Sequence, residues 1–531
     1  MSIHLDPHHH AAVGATKGES AAGQSAAVSA TGRPAAQTDP SSFAASQVPA
    51  SAQPGRPLSI SARLGRLQFH NSGKFRVLQL SDIQDGPKVS ADTIKLIAAA
   101  CDAARPDLVV LTGDQIAGYH SAYRATYRKR RWNDALDSII GMGRQAVNFL
   151  GDAFQGFPQM PQPSQSTVRQ QESLDERAQE ATDPQDVRRL EYERDLARTR
   201  DMVRQSIQQF MQPIVDRGIP FVVTYGNHDF QCGLDNAEFD AMFRELPGCL
   251  NAEATVAEPL RPLHVPGSGL PDQVVYTAEP GTLALPVSDV RHTRTVFGIV
   301  LLDSGDYARE GGYGTPSTTG MEFLRLAPQA MGGAKSIVFQ HIPLPQFYNL
   351  LRVVPPTAAY AVQGYRTYDS QTYLLDESVT QPGSFLGEGI SCPDTDCGEF
   401  DVMKQTNGYF ALFAGHDHRN GFVGEYDGMM LGATPTCGFG AYGPAPSMRA
   451  ARLFEFDIRH PYNPRTQLLQ FGDLVGKPSS HKAYTYAMSH VPTNAGDTWN
   501  LLRKPKVFGG VVAAVAGLLA TTLFGGGRKR R

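Results

Sequence analysis

The sequence predicts an α/β protein whose parallel strands carry polar residues at their carboxyl ends. Three observations lead there. Phe221, Val222, Val223 and Thr224 form an apolar, β-branched run that passes through Tyr225 and breaks at Gly226, Asn227, His228 and Asp229. A run apolar on both faces has the pattern of a strand buried between layers. Next, the run 75–80 ends in Ser81-Asp82-Ile83-Gln84-Asp85, a stretch of helical composition covers 91–104, and the run 108–111 ends in Thr112-Gly113-Asp114. Strand, helix, strand in that order is a βαβ unit, which sets two carboxylates on one sheet edge. Finally, runs at 295–302, 336–339 and 409–413 repeat the pattern, and the last two lead into Gln340-His341 and Gly415-His416-Asp417-His418.

Taken in order, the globular part begins at residue 58. Residues 67–69, the turn sequence Asn71-Ser72-Gly73 and the run 75–80 read as a hairpin. Between 119 and 206 the core pattern is interrupted by a Gln-, Arg- and Glu-rich region with charges of both signs at helical spacing, which predicts a helical insertion with a solvated face. A protein-binding arm is the other reading of that insertion. The Gly- and Pro-rich stretch 428–446 and the alternating run 452–457 read as the last strands of a second sheet.

The chain has 531 residues, enough for a large core, and its balance of 49 Lys and Arg against 52 Asp and Glu supports no nucleic-acid partner. Six cysteines are too few for a disulfide scaffold, although Cys392 and Cys397 are close enough in sequence to form one bridge. Residues 1–57 are rich in Ala, Ser and Pro and are expected to be a disordered arm without a secretory signal. After the domain 58–490 come a linker, 491–506, and the uncharged segment 507–524, followed by the basic tail 525–531. Eighteen uncharged residues sit at the lower edge of the roughly 17 to 25 needed to span a bilayer, so a C-terminal transmembrane anchor is expected. With no export signal, the expectation is a membrane-associated protein whose catalytic domain is cytoplasmic.

Five strand ends therefore deliver Asp82, Asp114, Asn227, His228, His341, His416 and His418 to what is expected to be one sheet rim. Carboxylate, amide oxygen and imidazole are ligands for divalent ions such as Zn²⁺, Mn²⁺ and Fe²⁺, and a carboxylate can bridge two of them. Singly, such an Asp is usually a helix cap and such a His a hydrogen-bonded core residue. Their coincidence on five strand ends argues for a metal site.

Asp82-Ile83-Gln84, Gly113-Asp114, Gly226-Asn227-His228-Asp229, Gln340-His341 and Gly415-His416-Asp417-His418, in this order, resemble the calcineurin-like metallophosphoesterase superfamily over about residues 63–458. His341-Ile342-Pro343-Leu344-Pro345 and Gly415-His416-Asp417-His418-Arg419-Asn420 look most like the branch containing the fungal dose-dependent cell-cycle regulator phosphatases. The resemblance implies a four-layer sandwich: two mixed sheets face to face, flanked by helices, with two divalent metal ions (Mn, Fe or Zn) at the sheet edge. By position it makes Asp82 and His418 ligands of a first metal, Asp114 the bridge, and Asn227, His341 and His416 ligands of a second. A metal-bridging hydroxide would attack a phosphate ester, with His228, oriented by Asp229, assisting the leaving group.

One position departs from the pattern: Gln84 stands where the superfamily usually has a histidine ligand of the first metal. Gln84 would ligate through its oxygen, hold a water or leave the position open, with Asp85 as a substitute. The related purple acid phosphatases use a tyrosine three residues after the bridging Asp; Ala117 stands there in this chain, so position assigns no such role to Tyr119. Loops at 306–320 and 343–369 and the insertion 119–206 are expected to surround the substrate, with Tyr348, Tyr360, Tyr365 and Arg366 as candidate substrate-facing residues. The alternative to a phosphoesterase is a catalytically silent protein of the same fold that serves binding or scaffolding at a membrane.

Overall fold

Alternation of apolar side chains along each strand decides the layering. In a computed structural model, which describes residues 57–128, 162–254, 260–476, 479–480 and 482–490, one sheet contains five strands and another seven. The first has the order β15-β14-β1-β2-β3, with β1 Lys74–Leu80, β2 Leu108–Thr112, β3 Phe221–Thr224, β14 Ala450–Asp457 and β15 Arg465–Gln470. The second has the order β12-β13-β11-β7-β6-β5-β4, with β4 Tyr276–Glu279, β5 Thr282–Ser288, β6 Thr295–Leu302, β7 Ser336–Gln340, β11 Tyr409–Ala414, β12 Val423–Tyr426 and β13 Met429–Ala433. The central strands β1, β2 and β3 are parallel, as are β6, β7, β11 and β13, so both sheets aim strand carboxyl ends outward in register. A small third sheet pairs β8 Leu351–Val354, β9 Val362–Gln363 and β10 Thr372–Leu375.

Phe75, Val77, Leu108, Val110 and Val222 of the first sheet pack against Leu285, Phe297, Ile299, Ile337, Phe339 and Phe413 of the second. Phe297 and Phe456 stack across this interlayer with centroids 4.3 Å apart. The alternate residues Leu78, Val109, Leu111 and Val223 face outward onto helices α2 Ala91–Ala104, α4 Pro184–Val215 and α5 Asn236–Arg244. Val300, Val338 and Leu412 do the same for α6 Thr318–Ala330 and α7 Glu399–Thr406. The result is helices, sheet, sheet, helices: the four-layer arrangement expected.

Three readings of the sequence change here. Residues 67–69 do not pair with β1 as a hairpin; Gln68 bridges in parallel to Ser288, tying this segment to the end of β5, because Leu67 and Phe69 bury better between the layers. Residues 452–457 belong to the first sheet, pairing antiparallel with β1, whereas Met429–Ala433 belong to the second. Cys392 and Cys397 are free thiols.

Within the stretch read as an insertion, α3 Gln165–Glu180 and the first half of α4 form a charged helical pair tied by Arg194 and Asp175 at 3.2 Å. Leu196, Met202 and Val203 of α4, and Tyr123 near the other end, already lie in the outer core. Residues 1–56, 129–161 and 491–531, which include the arm, the linker, the segment 507–524 and the basic tail, lie outside the described residues. Among the described residues, no helix is long and apolar enough to cross a membrane.

Candidate metal centre

The expected sheet rim is made of two rims. Asp82 follows β1, Asp114 follows β2, and Asn227 and His228 follow β3, all in the first sheet; His341 follows β7, and His416 and His418 follow β11, in the second. Face-to-face stacking of the layers brings the ends of these parallel strands together. Asp82, Asp114 and His416 adopt φ values of 52°, 49° and 70°, and Gln84 one of 40°, so four side chains of the cluster sit on left-handed backbone. Such strain is held only where the surroundings over-determine it, as at functional sites. Glycine is required beside them: a Cβ on Gly113 would come within 2.6 Å of His341 Nδ1, and one on Gly226 would collide with the Asp114 carboxylate.

Two groups of donors share one residue. Ligand-type atoms of Asp114, His341 and His416 lie within 4.8 Å of one another, as do those of Asp82, Asp114 and His418. Asn227 joins the first group, its Oδ1 lying 3.0 Å from His341 Nε2. His341 Nδ1 donates to the Thr112 carbonyl at 2.9 Å, which turns Nε2 toward Asn227, toward Asp114 Oδ2 at 3.4 Å and toward His416 Nδ1 at 3.2 Å. His418 Nδ1 donates to the Tyr442 carbonyl at 2.6 Å and its ring stacks on Tyr442 at 4.2 Å, leaving Nε2 3.2 Å from Asp82 Oδ1. His341 and His418 thus each use the outer nitrogen to fix the tautomer that presents the inner one, as metal-binding histidines do.

No protein-family profile matches the chain. It is 24% identical over 273 residues to the Arabidopsis thaliana protein named "Probable inactive purple acid phosphatase 29", an alignment covering 48% of this chain and 59% of the relative. It is 23% identical over 284 residues to "Probable inactive purple acid phosphatase 14" of the same plant, covering 50% of this chain and 60% of that one. This chain is similar to purple acid phosphatases. The match spans about three-fifths of the length of these relatives. A crystal structure of a dimetal phosphatase from Danio rerio aligns over 75% of this chain and 99% of its own, at 10% identity and a TM-score of 0.32. In this chain the motifs of the metallophosphoesterase resemblance lie on the strand ends described above.

The charge state of the cluster suits cations. Burial would raise the Asp114 carboxyl, yet the charges of His341 and His228 and their hydrogen bonds hold it far below the usual range. Burial opposes charge on His341, but Asp114 and Asp82 outweigh it and push the imidazole up to about 10. The positive charge that the carboxylates favour on His341 is the charge a cation held by the same donors would supply. His416 is held well below the ordinary histidine range by burial and by His341, so its lone pairs are available. Asp82 Oδ1 and His416 Nε2 are buried without a hydrogen-bond partner. The unpaired Asp82 Oδ1, a ligand-type oxygen that faces His418 Nε2 in the second group, shows that the donor set fits a metal ion.

Two residues, Asp85 and Asp229, are placed differently from expectation, and Gln84 engages the shared carboxylate. Gln84 turns its Nε2 to Asp114 Oδ2 at 2.7 Å, so its amide donates to the shared carboxylate and does not present an oxygen to the first group. Asp85 points away: its Oδ2 accepts from Ser90 N and Thr93 Oγ1 at the start of α2, at 2.9 and 2.7 Å, and burial raises its carboxyl to about 6. Asp229 does not touch the His228 ring. Its carboxylate accepts from the backbone of Gln115 and Gly226 at 2.7 and 2.9 Å, clamping the two loops that carry Asp114 and Asn227. The His228 ring is instead oriented by Gln231, whose Oε1 lies 2.8 Å from Nδ1.

Segments expected near substrate supply an aromatic rim, three of whose tyrosines, Tyr119, Tyr307 and Tyr313, were not singled out from sequence. Tyr119, set aside by position, lies edge-on to His228 at 4.9 Å and its hydroxyl is 3.4 Å from Gln84 Oε1. Tyr307 accepts from Asn227 Nδ2 at 2.8 Å, and Tyr313 meets His416 edge-on at 4.2 Å. Of the loop residues expected at the site, Tyr365 stacks on Tyr313, Tyr348 is buried against Tyr368 and hydrogen-bonds Ile390, Tyr360 is 91% exposed, and Arg366 pairs with Asp394. The i, i+3 spacing of His228 and Gln231 was a signal for that pair; nothing local marks the tyrosines, whose neighbours are distant in sequence.

Proposed function

We propose that the chain is a metal-dependent phosphoesterase. The observation that carries this reading is the sharing of Asp114 between two donor groups, with His228 bonded through its backbone to Asp114 Oδ1 at 2.8 Å. Asp82 and His418 would hold one ion, Asn227, His341 and His416 a second, and Asp114 both; the ions, of Mn²⁺, Fe²⁺ or Zn²⁺ type, would supply positive charge for phosphoryl oxygens and acidify an attacking water. The protein's own contributions are distinct. Asp82, Asp114, Asn227 and His341 form a floor that is fully buried from bulk solvent. His228, its Nδ1–H held by Gln231 Oε1, would in the imidazolium form turn Nε2–H to the departing ester oxygen, giving it a proton and becoming the neutral ring.

A second reading is a silent protein of this fold. It is favoured by Gln84, whose amide hydrogen-bonds the shared carboxylate, and by the word "inactive" in the relatives' names. The test is the full chain stripped of metal, reloaded with each ion and assayed on an aryl phosphate monoester and diester beside His228→Ala. Metal-dependent turnover lost in the variant supports the enzyme. Metal binding without turnover on either ester moves the reading to the silent protein.

The fungal regulator branch remains a reading of motif form around His341 and His416. Membrane attachment through 507–524 and a cytoplasmic catalytic domain are likewise proposals; loss of membrane fractionation on deleting 507–531 would support the attachment, and unchanged fractionation would remove it.

A further inference from the structure

We propose that the site takes phosphate esters whose leaving group is a flat aromatic ring, an inference that rests on the phosphoesterase reading and narrows its substrate class. The floor of the cluster is closed: Asp82, Asp114, Asn227 and His341 have no exposed surface, whereas His228 is 8% and His416 6% exposed. Any ester therefore reaches the centre past those two imidazoles. Both are bordered by tyrosines. Tyr119 meets His228 at 4.9 Å, Tyr307 lies 6.5 Å from the same ring, and Tyr313 meets His416 at 4.2 Å.

The rim continues outward as a staircase. Tyr307 stacks on Tyr313 at 5.8 Å and 27°, and Tyr313 on Tyr365 at 5.5 Å and 29°. All three tyrosines are partly buried, partly exposed residues. Their positions are fixed from outside the stack. Tyr307 and Tyr313 face each other across a β-bridge, Tyr307 is bonded to Asn227, and the backbone of Tyr365 donates to the Tyr348 hydroxyl at 2.9 Å. A rigid, amphipathic set of rings loses little entropy on binding and favours offset or edge contacts with another ring over contacts with a hydrated chain. A phosphoryl group seated between His228 and His416 places its ester substituent against this staircase.

The test separates binding preference from catalysis. Phenylphosphonate and methylphosphonate, which have no ester bond to cleave, are titrated calorimetrically into the metal-loaded full chain, its Tyr313→Leu variant and its Tyr365→Leu variant. The second variant lies away from the donor groups, so it reads the rim without disturbing His416. Metal content and near-ultraviolet circular dichroism report intact folding. About tenfold tighter binding of the phenyl compound, reduced severalfold or more in both variants, is expected. Equal affinity for the two compounds, failure of both to bind, or a preference that survives in both variants overturns the proposal. Turnover of phenyl phosphate is measured beside it: a phenyl preference without turnover overturns the phosphoesterase reading and leaves the aromatic rim standing.

Discussion

The Tyr307 hydroxyl accepts a hydrogen bond from the Asn227 side-chain amide at 2.8 Å, and this bond decides which atom of Asn227 faces the donor cluster. With Nδ2 committed to Tyr307, Oδ1 is turned to His341 Nε2 at 3.0 Å. Tyr307→Phe is expected to weaken metal binding at the Asn227, His341 and His416 group by about tenfold, the scale of lost partners to metal ligands. Metal titration with competing chelators checks this; unchanged affinity would show that Asn227 needs no such partner.

His228 depends on Gln231, bonded at 2.8 Å, and not on Asp229. Gln231→Leu is expected to lower turnover by about 10- to 100-fold, and more for an alkyl phosphate than for 4-nitrophenyl phosphate, whose leaving group needs no proton. An equal loss on both esters would remove His228 from leaving-group assistance.

Gln84 donates to Asp114 at 2.7 Å, where an imidazole would bind a cation through a lone pair. Gln84→His is expected to tighten the Asp82 and His418 group by about tenfold. Equal or weaker affinity in equilibrium dialysis would refute it.

Metal uptake is expected to release a proton. With the His341 imidazole raised to about 10, a cation entering its group at neutral pH displaces that proton, so apparent affinity rises with pH until about 10. Calorimetry in buffers of different ionisation enthalpy measures the release; none between pH 6 and 8 would contradict the charge balance described above.

Glu399, at the start of α7, is raised by burial to about 8, and its Oε1 is without a partner. The folded state favours the protonated acid, so its contribution to stability is complete below about 4.5, the ordinary value, and is lost as pH rises through about 8. Glu399→Gln removes that loss, which reaches roughly 5 kcal/mol once the acid is fully ionised. Thermal unfolding is expected to give a higher midpoint for the variant at pH 9 and little change at pH 5. A variant no more stable at pH 9 would show that the acid ionises without penalty.

Strand ends were readable because a buried parallel strand is apolar on both faces and its first polar residue is conspicuous: Asp82, Asp114, Asn227, His341 and His416 all stand out from sequence order. Pairing was not, because 452–457 alternates equally well beside either sheet and joins β1 through register and interlayer packing. The resemblance implied that Asp229 orients His228, yet the turn after β3 sends its carboxylate back to the backbone of Gln115 and Gly226.

By itself, then, the sequence determined the residue types on offer, the apolar periodicity that makes the strands, and the glycines that let the chain turn at their ends. Those are local properties, set by side-chain chemistry and backbone sterics. Only the tertiary structure decided that two sheet rims meet, that Asp114 is common to two donor groups, that Gln231 and not Asp229 holds His228, and that tyrosines from three distant segments border the opening. These are contacts between residues up to several hundred positions apart, and burial of the layer between the sheets brings them within hydrogen-bonding distance.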